Sequence, residues 1–183
     1  MSRHEPWGDG LPSWAIVTPE RAAHVSRVVT VLQQWATAMQ LPDEETLRWR
    51  KAGWLHDALR DADEPTLRRW SGDAASPLAL LHGPAAATLA AEQGEDDPAV
   101  LDAVRWHTVG SPEWDAVGGS LFAADFLEPG RSFALAERDD LTRRYPEDPR
   151  RVLREIVQLR LAHQRRKGRA DHPMTVAFLA SLS

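Results

Sequence analysis

The 183-residue sequence contains no cysteine. Disulfide bonds and metal sites built on thiolates are therefore excluded, and any metal must be held by histidine, aspartate or glutamate. The sequence also lacks any run of about 18 consecutive apolar residues, which is the length that a membrane-spanning helix requires. We therefore expect no membrane segment.

An excess of positive charge is absent as well. The chain carries 22 lysine and arginine residues against 27 acidic ones, a net charge of −5, so we expect no nucleic-acid partner. Residues 1–11 are polar and lack the apolar core of a signal peptide, which favours a cytoplasmic location. The content of 43% hydrophobic and 27% charged residues is typical of a globular protein. We predict an N-terminal extension over residues 1–17 and one domain over residues 18–183.

No stretch of strand-like alternation occurs, whereas helical periodicity and helix-start signals recur along the chain. A capping residue followed by proline marks three helix starts, at Thr18-Pro19, Asp97-Pro98 and Asp148-Pro149. We also expect Asp43 to cap a helix that ends near Leu59, and a break at Gly83-Pro84. Further helices are predicted over residues 65–70, 77–93, 114–127 and 173–182. The sequence therefore predicts a single-domain, all-α bundle of about seven to nine helices.

The most informative stretch is Trp54-Leu55-His56-Asp57. Ala52, Leu55, His56 and Leu59 fall at helical spacing on one face, so His56 is directed into the interior. Three more histidines end or interrupt inward apolar stripes on other predicted helices. Two carboxylates accompany these four histidines. The resulting set is His24, His56, Asp57, His82, His107 and Asp125.

Each of these residues alone is more simply read as an ordinary buried polar group with a hydrogen-bond partner. Four imidazoles in one core would leave many donors and acceptors to satisfy, at a cost of about 1–3 kcal/mol for each one missed. Nitrogen and oxygen ligands in this number suit one or two divalent ions, and they accept iron, manganese, cobalt or zinc. The sequence therefore predicts a metal centre. Of the other histidines, we expect His163 to face solvent and His172 to cap a helix.

A resemblance to a known family covers residues 18–180. The matching segments are Arg21-Ala22-Ala23-His24-Val25, Ala52-Gly53-Trp54-Leu55-His56-Asp57, Leu80-Leu81-His82-Gly83-Pro84, Trp106-His107-Thr108-Val109-Gly110, Ala124-Asp125-Phe126-Leu127-Glu128-Pro129-Gly130-Arg131 and His172-Pro173-Met174-Thr175. In this order they resemble the HD-domain metal-dependent phosphohydrolase superfamily. Within that superfamily the closer resemblance is to the YqeK-type bacterial hydrolases.

The resemblance implies a helical HD fold, two divalent metal ions that are typically iron, and symmetrical cleavage of diadenosine tetraphosphate into two ADP. The nucleophile would be a hydroxide that bridges the two ions. His24, His56, Asp57 and Asp125 would hold one ion, and His82 and His107 would complete the second, with Asp57 shared.

Substrate contacts are expected beside the metal ligands. Arg60 and Arg131 are the cations that we expect on the phosphates. Asp61 is a candidate for holding a catalytic water, with a solvated loop acid as the alternative. Thr108 and Gly110 form a turn suited to a nucleotide, with plain helix capping as the alternative. His82, Gly83 and Glu128 complete the expected substrate-binding set. The expected role of Glu128 is either to contact the nucleoside or to brace Arg131.

Two other functions remain open at this point. The first is an HD-type nucleotidase or pyrophosphohydrolase that acts on mononucleotides or guanosine alarmones, with the same metal site and different pocket walls. The second is a non-catalytic nucleotide-sensing module, although such a module typically lacks a ligand and all six positions are occupied here. The sequence also leaves the oligomeric state open, a homodimer included.

Overall fold

The computed structural model describes residues 9–130 and 134–183 of the chain. Within these stretches it contains nine α-helices and no strand, which confirms the all-α prediction. The helices are α1 (Pro19–Ala38), α2 (Asp43–Leu55), α3 (Glu64–Ser71), α4 (His82–Glu92), α5 (Pro98–Trp106), α6 (Ala116–Leu127), α7 (Leu135–Arg144), α8 (Pro149–Arg166) and α9 (Pro173–Ser181).

The predicted cap-and-proline signals mark the observed starts of α1, α5 and α8. The side chain of Thr18 accepts a hydrogen bond from the Arg21 N–H group, and the side chain of Asp97 accepts from the first turn of α5. Asp148 does the same for α8. A proline at the first helical position has no N–H group to satisfy, so these junctions leave fewer unpaired donors. His172 caps α9 through its ring, as predicted.

Three predicted boundaries need correction. Pro42 occupies the cap position of α2, so Asp43 is its first residue and not its cap. The helix ends at Leu55 instead of near Leu59. In the third case, α6 begins at Ala116, two residues later than expected, because Asp115 caps it by accepting from the Val117 N–H group.

The predicted break at Gly83-Pro84 lies slightly earlier in the chain. A short 3₁₀ turn, Leu78–Leu80, precedes Leu81, and α4 begins at His82. Pro84 is thus in the first turn of α4, where backbone N–H groups have no helical partner. Proline therefore costs this helix no hydrogen bond, and His82 is placed at its first position.

The centre of the bundle is α6, which packs against α1, α2, α5, α7 and α8. Nearly all of its side chains are buried, including Val117, Leu121 and Phe122. A helix that is apolar on every side must be enclosed by others. Asp125 lies near the end of this helix, so its carboxylate projects from the middle of the bundle.

The part of the predicted extension that the structure describes, residues 9–17, packs against the turn that follows α2. The Ile16 N–H group donates to the Ala58 carbonyl at 2.8 Å, and the Asp61 N–H group donates to the Ile16 carbonyl at 3.2 Å. Trp14 packs against the core nearby. Among the described helices, none combines the length and hydropathy that a bilayer crossing would require.

Candidate metal centre

The six residues predicted as metal ligands are brought together from five parts of the bundle. His24 comes from α1, the His56-Asp57 pair from the end of α2, and Asp125 from α6. His82 begins α4 and His107 directly follows α5. All four histidines and Asp57 are buried, whereas the side chain of Asp125 is 17% exposed. The cluster therefore lies inside the bundle, with Asp125 as its most accessible ligand.

The turn after α2 directs Asp57 into the cluster. The last helical bond of α2 joins the His56 N–H group to the Ala52 carbonyl, and the Arg60 N–H group then donates to the Asp57 carbonyl at 2.9 Å. The chain thus leaves the regular helix at the His-Asp pair. Both side chains are directed into the cluster, where Nε2 of His56 lies 3.6 Å from Oδ2 of Asp57.

Asp57 is shared between two groups of histidines. Its Oδ2 atom lies 3.7 Å from Nε2 of His24 and 3.6 Å from Nε2 of His56. Its Oδ1 atom lies 3.2 Å from Nε2 of His82 and 3.5 Å from Nε2 of His107. Nε2 of His24 is also 3.1 Å from Oδ1 of Asp125. Two triads with ligand-like spacing, His24–His56–Asp57 and Asp57–His82–His107, therefore meet at a single carboxylate.

The hydrogen bonds of His56 and His107 leave a lone pair on the inward nitrogen atom of each ring. Nδ1 of His56 is 2.7 Å from the Gly53 carbonyl, and Nδ1 of His107 is 2.7 Å from the Val104 carbonyl. Each Nδ1 must carry the hydrogen, which leaves Nε2 with a lone pair. Among the described residues, Nε2 of His56 has no hydrogen-bond partner. Lone pairs that face a carboxylate in a buried cluster fit a divalent cation.

The electrostatics of His56, His82 and Asp57 favour the protonation states that bind metal. Burial lowers the pKa of His56 to about 4 and also lowers the pKa of His82. Burial by itself would raise the pKa of Asp57, but the neighbouring His56, His107 and His82 hold it well below its usual range. Neutral imidazoles and an ionised carboxylate are the forms that coordinate a metal.

Asp125 and His24 form a coupled pair on one side of the cluster. Burial opposes ionisation of Asp125, yet the hydrogen bond from His24 lowers the pKa of Asp125 far below its usual range. Burial likewise opposes protonation of His24, but Asp125, Asp57 and Glu128 together raise the pKa of His24. Three carboxylates thus stabilise positive charge at His24, and a bound cation would supply that charge in place of the proton.

A sequence profile described as "HD domain" matches residues 21–170, most of the chain. The chain belongs to the HD domain family. The matched range contains every residue of the cluster, so the cluster occupies the part of the chain that defines the family.

Three relatives of this HD domain bear the name symmetrical bis(5'-nucleosyl)-tetraphosphatase. The relative from Halalkalibacterium halodurans is 40% identical over 60 residues, 32% of each chain. Those from Bacillus subtilis and Staphylococcus aureus are 40% and 41% identical over 30% and 29% of this chain, and over 30% and 28% of their own lengths. The matches thus span about a third of the relatives' length.

A solved structure matches this HD domain over a much larger part of the chain than the three relatives do. It is described as a predicted HD superfamily hydrolase involved in NAD metabolism, from Clostridium acetobutylicum. The TM-score is 0.79 and the sequence identity 25%, with 91% of this chain and 90% of that chain covered. The agreement supports the assignment of this chain as an HD-domain hydrolase.

Gly83 allows the two helices that carry His82 and His107 to approach closely. A Cβ atom at Gly83 would lie 2.8 Å from the Val104 carbonyl oxygen and 3.1 Å from Nδ1 of His107. Without it, Nε2 of His82 comes within 3.0 Å of Nε2 of His107. The described contacts of Gly83 are thus packing contacts within the HD domain. Its role in substrate binding stays a prediction.

Glu128 contacts one of the predicted metal ligands and a neighbouring arginine. Its buried carboxylate places Oε1 3.2 Å from Nδ1 of His24 and Oε2 2.5 Å from Nε of Arg27. The Gly130 N–H group also donates to Oε2. Because Nδ1 of His24 donates to Glu128, Nε2 of His24 is directed at the metal cluster. The described contacts therefore give Glu128 the role of an orienting carboxylate, and the expected nucleoside contact or brace for Arg131 stays a prediction.

We expect Glu128→Gln to weaken metal binding about 10- to 100-fold, the usual cost of losing a carboxylate behind a ligating histidine. The substitution keeps the shape of the side chain and removes the charge that orients His24. Metal affinity would be measured by competition with a fluorescent chelator. Glu147→Gln, at an exposed position in the turn between α7 and α8, is the matched control, and equal affinities for the two variants would contradict the orienting role.

Arg21 is a residue near the site that the sequence reasoning left out. Its Nη1 atom is 2.9 Å from Oδ2 of Asp57, and its side chain is 29% exposed. The sequence could have indicated its position, because Arg21 precedes His24 by three residues and so lies on the same face of α1. Its guanidinium is thus at the solvent-facing edge of the cluster.

The remaining predicted residues lie around the cluster. Arg60 is half-buried, and its charge contributes to the lowered pKa of His82. The hydroxyl of Thr108 is 3.4 Å from Nε2 of His82 and 3.3 Å from Nε2 of His107. Gly110 adopts a φ of 86° against Phe178, in the left-handed region that favours glycine.

Asp61 and Arg131 are the last two of the predicted site residues. The carboxylate of Asp61 accepts a hydrogen bond from the Thr18 N–H group at 2.8 Å, so its described contact is structural, and its catalytic role stays a prediction. Arg131 lies outside the described residues.

Proposed function

We propose that this HD-domain hydrolase is a metal-dependent phosphohydrolase that cleaves dinucleoside polyphosphates, and diadenosine tetraphosphate symmetrically into two ADP. The observation that carries the proposal is the sharing of one carboxylate, Asp57, between two triads of ligand-like spacing. Such a pair of sites suits two divalent ions that act on one phosphoryl group. The name shared by the three bacterial relatives supports the choice of substrate.

Divalent ions held there would activate water as a nucleophile and stabilise charge on phosphoryl oxygens. We propose iron, while the donor set also accepts manganese, cobalt and zinc. The protein's own task is to position the phosphates. Arg21 lies at the exposed edge of the cluster and Arg60 close to His82. Both guanidinium groups are suited to neutralising phosphate oxygens as negative charge develops.

Cleavage between the second and third phosphates releases ADP. A nucleoside diphosphate is a good leaving group, so the reaction does not require a strong general acid. Thr108 is the one hydroxyl described within 3.4 Å of the histidine Nε2 atoms, which places it to donate a hydrogen bond to a phosphate oxygen. The cytoplasmic location, the absence of nucleic-acid partners and a homodimer stay predictions.

Product analysis tests this proposal. Protein purified without added metal would be assayed for iron, manganese, cobalt and zinc, and then incubated with diadenosine tetraphosphate in ¹⁸O-labelled water. We expect ADP as the only nucleotide product, with one labelled ADP for each unlabelled one, and loss of turnover on chelation. ATP and AMP as products would contradict symmetrical cleavage.

A substrate panel separates the proposal from its alternatives. Faster turnover of mononucleotides or guanosine alarmones than of diadenosine tetraphosphate would establish the nucleotidase alternative. Metal-replete protein that binds nucleotides without hydrolysing any of them would establish the sensing module.

A further inference from the structure

A cleft of about 520 Å³ opens beside the metal centre, between α6, α7 and α8. Its volume is within the range of about 300–1,000 Å³ that is usual for small-molecule sites. Its lining includes Asp125 and Phe126 of α6, Arg138 of α7, and Arg160, Arg166 and Lys167 at the C-terminal end of α8. Because Asp125 belongs to both the cleft and the cluster, a ligand in the cleft can reach the metal ligands.

The inner wall of the cleft combines an aromatic ring with a fixed cation. The guanidinium of Arg138 is 5.2 Å from the centre of the Phe126 ring. Arg138 is itself buried and donates to the Glu128 carbonyl. Leu141 and Leu159 supply apolar surface beside this pair. A flat, partly apolar group such as a nucleobase or ribose fits this wall.

Positive charge is concentrated around the cleft although the chain as a whole is acidic. Four of the lining residues are arginine or lysine, whereas Asp125 and Glu137 are the only carboxylates among them. Arg166 and Lys167 are exposed at the mouth. Arg160 donates to the Thr108 carbonyl at 2.8 Å and so links the cleft to the turn beside His107. A net positive surface in a chain of charge −5 favours an anionic ligand.

The two sides of the metal cluster differ in what surrounds them. The cleft adjoins Asp125, which pairs with His24 near Oδ2 of Asp57. The opposite side of the cluster, where His82 and His107 approach Oδ1 of Asp57, contributes no residue to the cleft. A molecule cleaved at the cluster therefore has the cationic cleft at one end of the reacting bond.

Symmetrical cleavage of a dinucleoside tetraphosphate places one nucleoside diphosphate on each side of that bond. We propose that the α6–α7–α8 cleft binds one nucleoside diphosphate arm of the substrate and thereby selects dinucleotides over mononucleotides. The inference rests on the proposed function and adds the place where the second arm lies. Arg166 and Lys167 contact its phosphates, and the wall at Phe126 and Arg138 receives its nucleoside.

The double variant Arg166→Gln/Lys167→Gln tests the cleft. The first readout is the dissociation constant, by calorimetry, of a non-hydrolysable analogue of diadenosine tetraphosphate with a methylene group between the second and third phosphates. We expect a weakening of about tenfold, because two cation–phosphate contacts are lost. The second readout is kcat/KM for diadenosine tetraphosphate divided by kcat/KM for bis(p-nitrophenyl) phosphate, which has no second nucleotide arm. We expect this ratio to fall by a similar factor.

The matched control is Arg143→Gln/Arg154→Gln, which removes the same charge from exposed positions of α7 and α8 outside the cleft. Its affinity and its ratio should equal those of the unmodified protein. Equal results for the two double variants would overturn the inference, as would wild-type protein that binds the analogue no more tightly than ADP. The binding readout does not require turnover. Wild-type protein that binds the analogue through the cleft without cleaving diadenosine tetraphosphate would refute the proposed function alone.

Discussion

Asp57→Ala is expected to abolish both metal binding and hydrolysis. The carboxylate approaches all four histidines of the cluster, so its removal takes a ligand from both triads at once. Metal content should fall below one ion per chain. Turnover of diadenosine tetraphosphate should fall at least about 1,000-fold, since several kcal/mol of charge stabilisation is lost with the ions. Elemental analysis and product chromatography would measure the two effects.

Asp139→Ala provides the control, because Asp139 is an exposed carboxylate on α7. Circular dichroism of both variants would separate loss of the site from loss of the fold. An Asp57→Ala protein that is folded, metal-replete and fully active would eliminate the two-metal interpretation.

The second large effect is expected from His82→Ala. This substitution removes a ligand from the Asp57–His82–His107 triad and leaves His24, His56 and Asp125 in place. We expect one ion to remain bound and the other to be lost, with turnover lowered about 100-fold or more because the remaining ion cannot stabilise both the attacking and the leaving oxygen. Metal stoichiometry by elemental analysis gives the decisive measurement.

His56→Ala is the counterpart on the other side of Asp57, and it should release the other ion. His163→Ala, at an exposed position on α8, should leave the stoichiometry unchanged. If His82→Ala and His56→Ala each released all bound metal, the two triads would have to share a single ion.

The inward histidines could be predicted because helical periodicity alone determines the direction of a side chain on an amphipathic helix. His24 and His56 fall in register with valines and leucines of their own helices, so burial of the apolar stripe buries the imidazole as well. Asp125 was accessible to the same reasoning, since it follows Leu121 by four positions. Periodicity did not give the partition of the ligands around Asp57, because it cannot tell which histidines of different helices approach the same oxygen atom; that expectation came from the resemblance to the HD-domain superfamily.

The role of Glu128 could not be read from the chain. Glu128 follows the last residue of α6, where periodicity no longer fixes direction, and its partner Arg27 is 101 residues away. The cleft between α6, α7 and α8 could not be predicted for a related reason. The start of α7 lacks a capping signal, since Ala134 occupies the cap position without a side-chain hydrogen bond and with a φ of 48°. A wall built by α6, α7 and α8 together has no local signature in sequence.

The pairing of Ile16 with Ala58 and Asp61 matters for how the protein is trimmed for laboratory work. The family profile begins at residue 21, so a truncation designed on that boundary would delete Ile16 and, with it, two backbone hydrogen bonds that clamp the loop immediately following the His-Asp pair. A fragment shortened in this way would retain all six ligands and yet lose the support of the loop that aims two of them. Inactivity of such a fragment would therefore carry no information about the chemistry of the chain that includes Ile16.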